Sequence, residues 1–311
     1  MQVHDAAYRN TDEEYAEICE FLDQLSTQDP FMLWESGRMN YWRYNIHANK
    51  KSDDLFFRDN VHLWRTDTHE LVGLCISEYG ENDLFIEVLP AYQQIYPAIF
   101  DWIEGTWAAT RTAIEIDVFN DDAQKIHRLE AQGFSFLAHF ENKRIYDLDQ
   151  VELEYSLEPG FTIQRFSASR DFAGRVALVR SAFGNTRYTE ANIQGLMASP
   201  DYIDEYNLSV VAPDGQQVAY CIGWHDRSKA QAGYIEPVGT HAAFRRRGFA
   251  KAINRACFRR MKANGIKTVE IASRAEPDVA NFLYNALGPA SKREVHKYGK
   301  QVSSGLTQHA G

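Results

Sequence analysis

The run Glu236-Pro237-Val238-Gly239-Thr240-His241-Ala242-Ala243-Phe244-Arg245-Arg246-Arg247-Gly248-Phe249-Ala250 places an extended segment, a basic turn with a glycine and the start of a helix in succession. The first turn of a helix presents N–H groups that no preceding carbonyl takes, together with about half a unit of positive charge. A diphosphate can settle against those amides when no side chain stands in front of them, and Gly248 keeps that approach clear. Between positions 245 and 262 lie Arg245, Arg246, Arg247, Lys251, Arg255, Arg259, Arg260 and Lys262, with no acid among them. The whole chain carries 33 Lys+Arg against 43 Asp+Glu, a formal charge of −10, so this local reversal of sign points to an anionic ligand at 245–250. The distal Arg259, Arg260 and Lys262 read instead as the solvated face of a helix that buries Phe249, Ile253, Cys257 and Met261.

Elements that could hold this turn in place are legible around it. Residues 161–166 alternate like a strand, and residues 171–183 read as a helix with Phe172, Val176, Val179 and Phe183 on one face. Residues 207–211 and 217–224 are strands around the turn Pro213-Asp214-Gly215. A strand at about 233–240 precedes a helix over 248–263, which Asn264-Gly265 ends; a strand over 266–272 and a helix over 278–287 follow. Strands that first neighbour one another and then alternate with helices predict a mixed sheet covered on both faces.

The chain also repeats itself. Val72-Gly73-Leu74-Cys75-Ile76-Ser77 returns 146 residues later as Val218-Ala219-Tyr220-Cys221-Ile222-Gly223. Ile114-Glu115-Ile116 and Leu129-Glu130-Ala131-Gln132-Gly133 return 155 residues later as Val269-Glu270-Ile271 and Tyr284-Asn285-Ala286-Leu287-Gly288. Three matches in one order predict two copies of one domain, 1–152 and 153–311, with a polar junction at 147–160 closed by Pro159-Gly160.

Arg245-Arg246-Arg247-Gly248-Phe249-Ala250 resembles the acyl-CoA motif Gln/Arg-x-x-Gly-x-Gly/Ala of the GCN5-related N-acetyltransferase (GNAT) family. Ala280-Asn281-Phe282-Leu283-Tyr284-Asn285-Ala286-Leu287-Gly288 is similar to that family's Ala-x-x-Leu-Tyr-x-x-x-Gly helix, and the likeness spans most of residues 160–290. The resemblance implies an α/β (α+β) protein of two tandem GNAT-like domains, each a mixed, mostly antiparallel twisted sheet flanked by helices. It implies acetyl-CoA as co-substrate, with main-chain groups of Val238 and Thr240, around Gly239, pairing with the pantetheine arm. Amides of Arg246, Arg247, Gly248, Phe249 and Ala250, beside Arg245, would hold the pyrophosphate, with a nucleotide-side contact near Asn281. Tyr284 would protonate the departing thiolate, its other reading being a packed aromatic of a short amphipathic helix. Glu236 stands where the strands of the family splay apart, and three roles stay open for it: proton acceptor for the attacking amine, ligand of a cationic acceptor, or solvated glutamate. His241 is the weaker alternative as base. Ala242 where the family favours proline, Pro289 after Gly288, and the polar 292–301 segment depart from the pattern.

In the first copy Phe85-Ile86-Glu87-Val88-Leu89-Pro90 takes the place of the Glu236 strand, but Tyr96-Pro97-Ala98-Ile99-Phe100-Asp101 offers neither glycine nor arginine. Asp101 and Glu104 would repel a diphosphate, and Leu129 stands in the place of Tyr284. The first domain therefore reads as degenerate and the second as catalytic, as in tandem acetyltransferases. The aromatic stretch holding Phe31, Trp34, Tyr41, Trp42 and Tyr44 reads as packing, or as a wall of an acceptor site.

Four scattered cysteines (Cys19, Cys75, Cys221, Cys257) support neither a metal knuckle nor a disulfide framework, and none lies in the motif region, so direct attack by an amine is expected. No metal is expected. The acidic balance argues against nucleic acid, and no apolar run reaches the ~18–20 residues of a membrane span. The expectation is a cytoplasmic N-acetyltransferase, monomer or homodimer, acting on a small-molecule primary amine. The alternative is an acyl-CoA-binding regulatory or scaffold protein without turnover.

Overall fold

The computed structural model describes residues 2–29, 31–48, 50, 54–226, 229, 231–277 and 279–302. Strands among the described residues are β1 (Val3–Ala7), β2 (Val61–Thr66), β3 (Leu71–Ile76), β4 (Asp83–Val88), β5 (Ala113–Phe119) and β6 (Ser135–Asp147). They continue with β7 (Thr162–Arg165), β8 (Asn207–Val211), β9 (Gln217–His225), β10 (Ala232–Thr240), β11 (Thr268–Arg274) and β12 (Ser291–Gln301). The chain divides into two compact units, one of Met1–Ser36, Lys50–Phe140 and Glu294–Gly311, the other of Gly37–Asn49 and Glu141–Arg293.

In the first unit the strand order is β1-β2-β3-β4-β5-β12, antiparallel throughout except for β4 beside β5. In the second the order is β7-β8-β9-β10-β11-β6, again antiparallel except for β10 beside β11. Each is thus the mixed, mostly antiparallel sheet that the family resemblance implies. The compact units do not follow the 1–152 and 153–311 division. Val295 to Gln301 of β12 pair with β5 in the first unit, and residues 141–147 of β6 pair with β11 in the second. Gly37–Asn49 also belongs to the second unit, where Asn45 Nδ2 donates to the Tyr188 hydroxyl at 3.2 Å and to the Asn192 carbonyl at 3.1 Å.

The second unit carries helices on both faces. On one side Ile253, Cys257, Phe258 and Met261 of the helix Phe249–Ala263 pack on Ala219, Cys221, Val269 and Ile271. On the other, Leu178 and Val179 of the helix Phe172–Phe183 join Tyr220, Ile222 and Trp224. The alternation of β9 residues between the two cores is the period-two pattern of a strand buried on both faces. The Phe172–Phe183 helix corrects one expectation: Phe183 is 53% exposed, while Arg175 turns inward between the rings of Phe166 and Tyr220, each 4.6 Å away. A buried guanidinium is tolerated there because Gln217, Asn207, Ser209 and the Leu208 carbonyl accept its hydrogens. The helix Glu190–Met197, started by a capping box of Thr189 and Asn192, was not expected from the sequence.

Candidate active site

The site begins where two parallel strands part. β10 and β11 pair over Ala232↔Thr268, Gly233↔Val269 and Tyr234↔Glu270 and no further, although β11 continues along β6 to Arg274. On its other side β10 shifts register against β9 between Ile235 and Val238. Pro237, which has no N–H to give a ladder, sits inside that bulge. Beyond it the register is Gly239↔Tyr220, and the His241 N–H donates to the Val218 carbonyl at 2.9 Å. Since hydrogen-bonding residues alternate along an antiparallel pair, Gly239 and His241 bond to β9. The main-chain groups of Val238 and Thr240 face the opposite edge, which β11 has left. Thr240 Oγ1 is buried with no hydrogen-bond partner among the described residues.

At the end of β10 the chain makes a single 3-10 turn (Ala242–Phe244) and enters the Phe249–Ala263 helix through two left-handed residues, Arg246 at φ 65° and Gly248 at φ 82°. Such alternation of hand gathers successive N–H groups on one side of the backbone. Among the described residues, the N–H groups of Arg246, Arg247, Gly248, Phe249, Ala250 and Lys251 donate to no protein acceptor; the first helical bond there runs from Ala252 to the Gly248 carbonyl at 3.0 Å. A Cβ built on Gly248 would meet no atom within 4 Å, so the space beside these amides is not filled by protein.

Most of the basic side chains are otherwise engaged. Arg247 forms a two-armed pair with Glu158, Nε at 2.9 Å from Oε1, and lies over the rings of Phe161, Phe244 and Phe249. Arg255 binds Glu152 at 2.7 Å, Lys262 binds Asp149 at 2.9 Å, and Arg260 donates to the Glu205 carbonyl at 3.0 Å. The acids of the junction thus neutralise the helix, which is why its charge run overstates its appetite for an anion. Arg245 donates to the Ala182 carbonyl at 2.8 Å, and Arg246 is exposed at the turn. What remains for a ligand is chiefly main chain.

Tyr284 lies on the two-turn helix Val279–Asn285 and is 7% exposed. Burial first, then the neighbouring Cys221 and Glu236, push its phenol far above the ordinary tyrosine value, against the pull of Arg144. The proton therefore stays on Tyr284 at neutral pH. Glu236 is half-buried and adds to the upward push on Tyr220 as well, behind burial, Tyr188 and Cys221. The Glu236 carbonyl accepts from Trp224 Nε1 at 2.8 Å, which holds the bulge. Asn281 is committed within the protein: its amide hydrogens go to the carbonyls of Arg274 and Ala275, both at 2.8 Å. Its oxygen accepts from Asn142 at 3.1 Å, Arg144 at 2.6 Å and Ser273 at 3.0 Å, so the side chain has no donor left for a nucleotide. Cys257 is buried, its thiol pushed well up by its hydrogen bond with Cys221 and by burial, which leaves it a poor nucleophile.

Residues that the sequence did not single out also flank the site. Phe183 stands over Gly239, where a Cβ would press on Phe183, Tyr220 and Ala182. Ser181 Oγ accepts from the Ala242 N–H at 3.0 Å and ties the turn to the Phe172–Phe183 helix. Exposure of an aromatic at a helix end has no signature in hydrophobic spacing, which is why Phe183 read as core.

Comparison with known proteins adds to this geometry. Residues 178–288, which lie within the second unit, match the model of the acetyltransferase (GNAT) family. No curated protein matches the chain. Among solved structures, it is similar to a GCN5-related N-acetyltransferase from Sphaerobacter thermophilus, at 18% identity over 96% of this chain and 95% of that one, with a TM-score of 0.64. A tandem GNAT protein from the clavulanic acid biosynthesis pathway aligns at 12% identity over 96% of this chain and 98% of that one, with a TM-score of 0.67. A GNAT-family acetyltransferase from Colwellia psychrerythraea aligns at 12% identity over 96% and 100%, with a TM-score of 0.62. At these identities the structures speak for the fold, and the family match speaks for an acetyltransferase domain. No helix among the described residues is long and apolar enough to cross a membrane.

Proposed function

We propose that this chain, whose residues 178–288 form an acetyltransferase domain of the GNAT family, transfers the acetyl group of acetyl-CoA to a primary amine of a small molecule by direct attack. The second unit is the catalytic one and the first an inactive relative. The observation that carries the reading is the fan of unpaired N–H groups at 246–251 standing at the end of the unpaired edge of β10. Residues present fit acetyl-CoA: the amides suit a diphosphate, Val238 and Thr240 offer strand-like pairing to an amide-bearing arm, and the space beside Gly248 is open. Acetyl-CoA, when bound, supplies an activated thioester, whose cleavage leaves a thiolate.

The chain's own residues manage charge and protons. Tyr284, held protonated by burial, keeps a donor beside the splay, where a general acid is needed. The Glu236 carboxylate, at the bulge, accepts the proton that a primary amine releases, or holds the amine as a cation before it does so. The poor nucleophilicity of Cys257 favours a single displacement over a thioester on the enzyme. The test is release of free thiol from acetyl-CoA across a panel of primary amines. At least one should turn over, and Tyr284→Phe should lower kcat on the order of 10²-fold with acetyl-CoA affinity retained. A Phe variant at the wild-type rate would leave Tyr284 a packing residue.

A further inference from the structure

The Tyr284 helix, Val279–Asn285, is too short to hold itself: two turns are marginal without tertiary support. Its support comes from one face of β6. Asn142, Arg144 and Tyr146 alternate along that strand and so point the same way. Asn142 Nδ2 donates to Asn281 Oδ1, and the Tyr146 hydroxyl donates to the Tyr284 carbonyl at 2.8 Å. Between them Arg144, 1% exposed, reaches both ends of the helix's inner side: Nη2 donates to Asn281 Oδ1 at 2.6 Å and Nε to Asn285 Oδ1 at 2.8 Å. Nη1 is anchored on Ser273 Oγ at 3.0 Å, in β11.

We propose that Arg144 is the positioning residue of the proton donor, its rigid fork fixing Asn281 and Asn285 so that Tyr284 between them is held at the splay. The inference rests on the acid role of Tyr284 put forward above and names what sets its position. No carboxylate pairs with Arg144 among the described residues. Its charge is balanced by neutral acceptors alone, a costly arrangement when a buried apolar residue would fill the same space. The planar fork, which bonds in two directions at once, is what lysine or methionine would lack. The strand that carries it lies in the half of the sequence preceding the acetyltransferase match, so the site takes a residue from outside that match.

The experiment uses the full chain, with Arg144→Met, Arg144→Lys, Tyr284→Phe and the double variant Arg144→Met/Tyr284→Phe. Amide hydrogen exchange in residues 279–285 of the free protein should speed up on the order of 10-fold or more in Arg144→Met, while acetyl-CoA affinity by calorimetry stays within about twofold. The kcat should fall on the order of 10-fold with the KM for acetyl-CoA unchanged, Arg144→Lys should restore only part of it, and the double variant should be no slower than Tyr284→Phe alone. Should Arg144→Met fail to fold, Asn285→Ala, at the exposed end of the helix, removes one arm of the fork and carries the same expectations at smaller size. Unchanged exchange in 279–285, or a double variant slowed by the product of the two single effects, overturns the assignment. A wild-type rate in Tyr284→Phe with faster exchange in Arg144→Met would instead overturn the acid reading and leave Arg144 as the clamp.

Discussion

Both units open their sheet in the same place, and they treat the opening differently. In the first, β4 and β5 pair only at Asp83↔Glu115 and Leu84↔Ile116, as β10 and β11 do before they part. The Leu89 N–H donates to Val72 at 3.0 Å, so Glu87 bonds toward β3 and Ile86 faces the open edge. There Lys125 Nζ, on a residue only 5% exposed, donates to the Ile86 carbonyl at 2.9 Å. The residue 155 positions later is Ala280, as Tyr284 is to Leu129. Following strand β4, the first unit runs into Pro97, Asp101 and Glu104 where the second has Arg246, Gly248 and free amides. The first unit thus satisfies the Ile86 carbonyl from within, whereas the edge of β10 at Val238 and Thr240 has no strand beside it among the described residues. Main-chain groups bared where two strands part need a partner, and within the first unit the buried Lys125 supplies one to the Ile86 carbonyl.

The largest break in this comparison should come from Gly248→Asp. Its Cβ meets no neighbour, so the chain should still fold, at about 1 kcal/mol of strain for a non-glycine residue at positive φ. The carboxylate would stand against the amides and repel a diphosphate, lowering acetyl-CoA affinity on the order of 10²-fold or more. Calorimetry should find one site per wild-type chain and none in Gly248→Asp, with Gly248→Asn, uncharged and tolerant of the same φ, losing about tenfold or less. Two sites in the wild type would mean that the first unit is open after all.

A middle-sized effect is expected in the first unit. Lys125→Ala strips the Ile86 carbonyl of its partner, which should cost about 1–3 kcal/mol in urea unfolding. The number of acetyl-CoA sites should stay at one, because Pro97 and Asp101 stand there in place of Arg246 and Gly248. An unchanged stability would show that the ammonium is not what satisfies that edge.

How much of this was readable beforehand follows from which residues face where. The strand–turn–helix of 232–263 was legible because β-branched and apolar residues, Gly248 and the Asn264-Gly265 stop coincide with its boundaries. The partner strands were not. β12 buries Lys297 against Asp117 at 2.8 Å, and β6 buries Lys143 against Glu270 at 2.9 Å beside Arg144. Strands that bury paired charges have no apolar alternation to read, so segment 292–301 looked unpatterned and the swap of final strands went unseen. The basic helix misled in the other direction, since Glu152, Glu158 and Asp149 that neutralise it lie about a hundred residues upstream. Asn281 carried a motif match but no hint that Arg144 would claim its oxygen.

The smallest expected effect is one in which the units should agree. Burial raises the phenol of Tyr96 in the first unit, with Glu87 and Asp122 adding to it, as burial, Cys221 and Glu236 raise that of Tyr284 in the second. Below the unfolded value of about 10 both states hold the proton and stability does not depend on pH through these groups. Above it the unfolded chain loses the proton while the folded one keeps it, so each phenol subtracts up to about 1.4 kcal/mol of stability per pH unit. Replacing either by Phe should therefore flatten the fall in stability between pH 9 and 11 by a similar amount, read from urea midpoints at the two pH values. Turnover should separate them, slowing in Tyr284→Phe and not in Tyr96→Phe. If both slopes match the wild type, neither phenol is buried as described; if Tyr96→Phe slows turnover as much, the first unit is part of the chemistry rather than a filled relative of it.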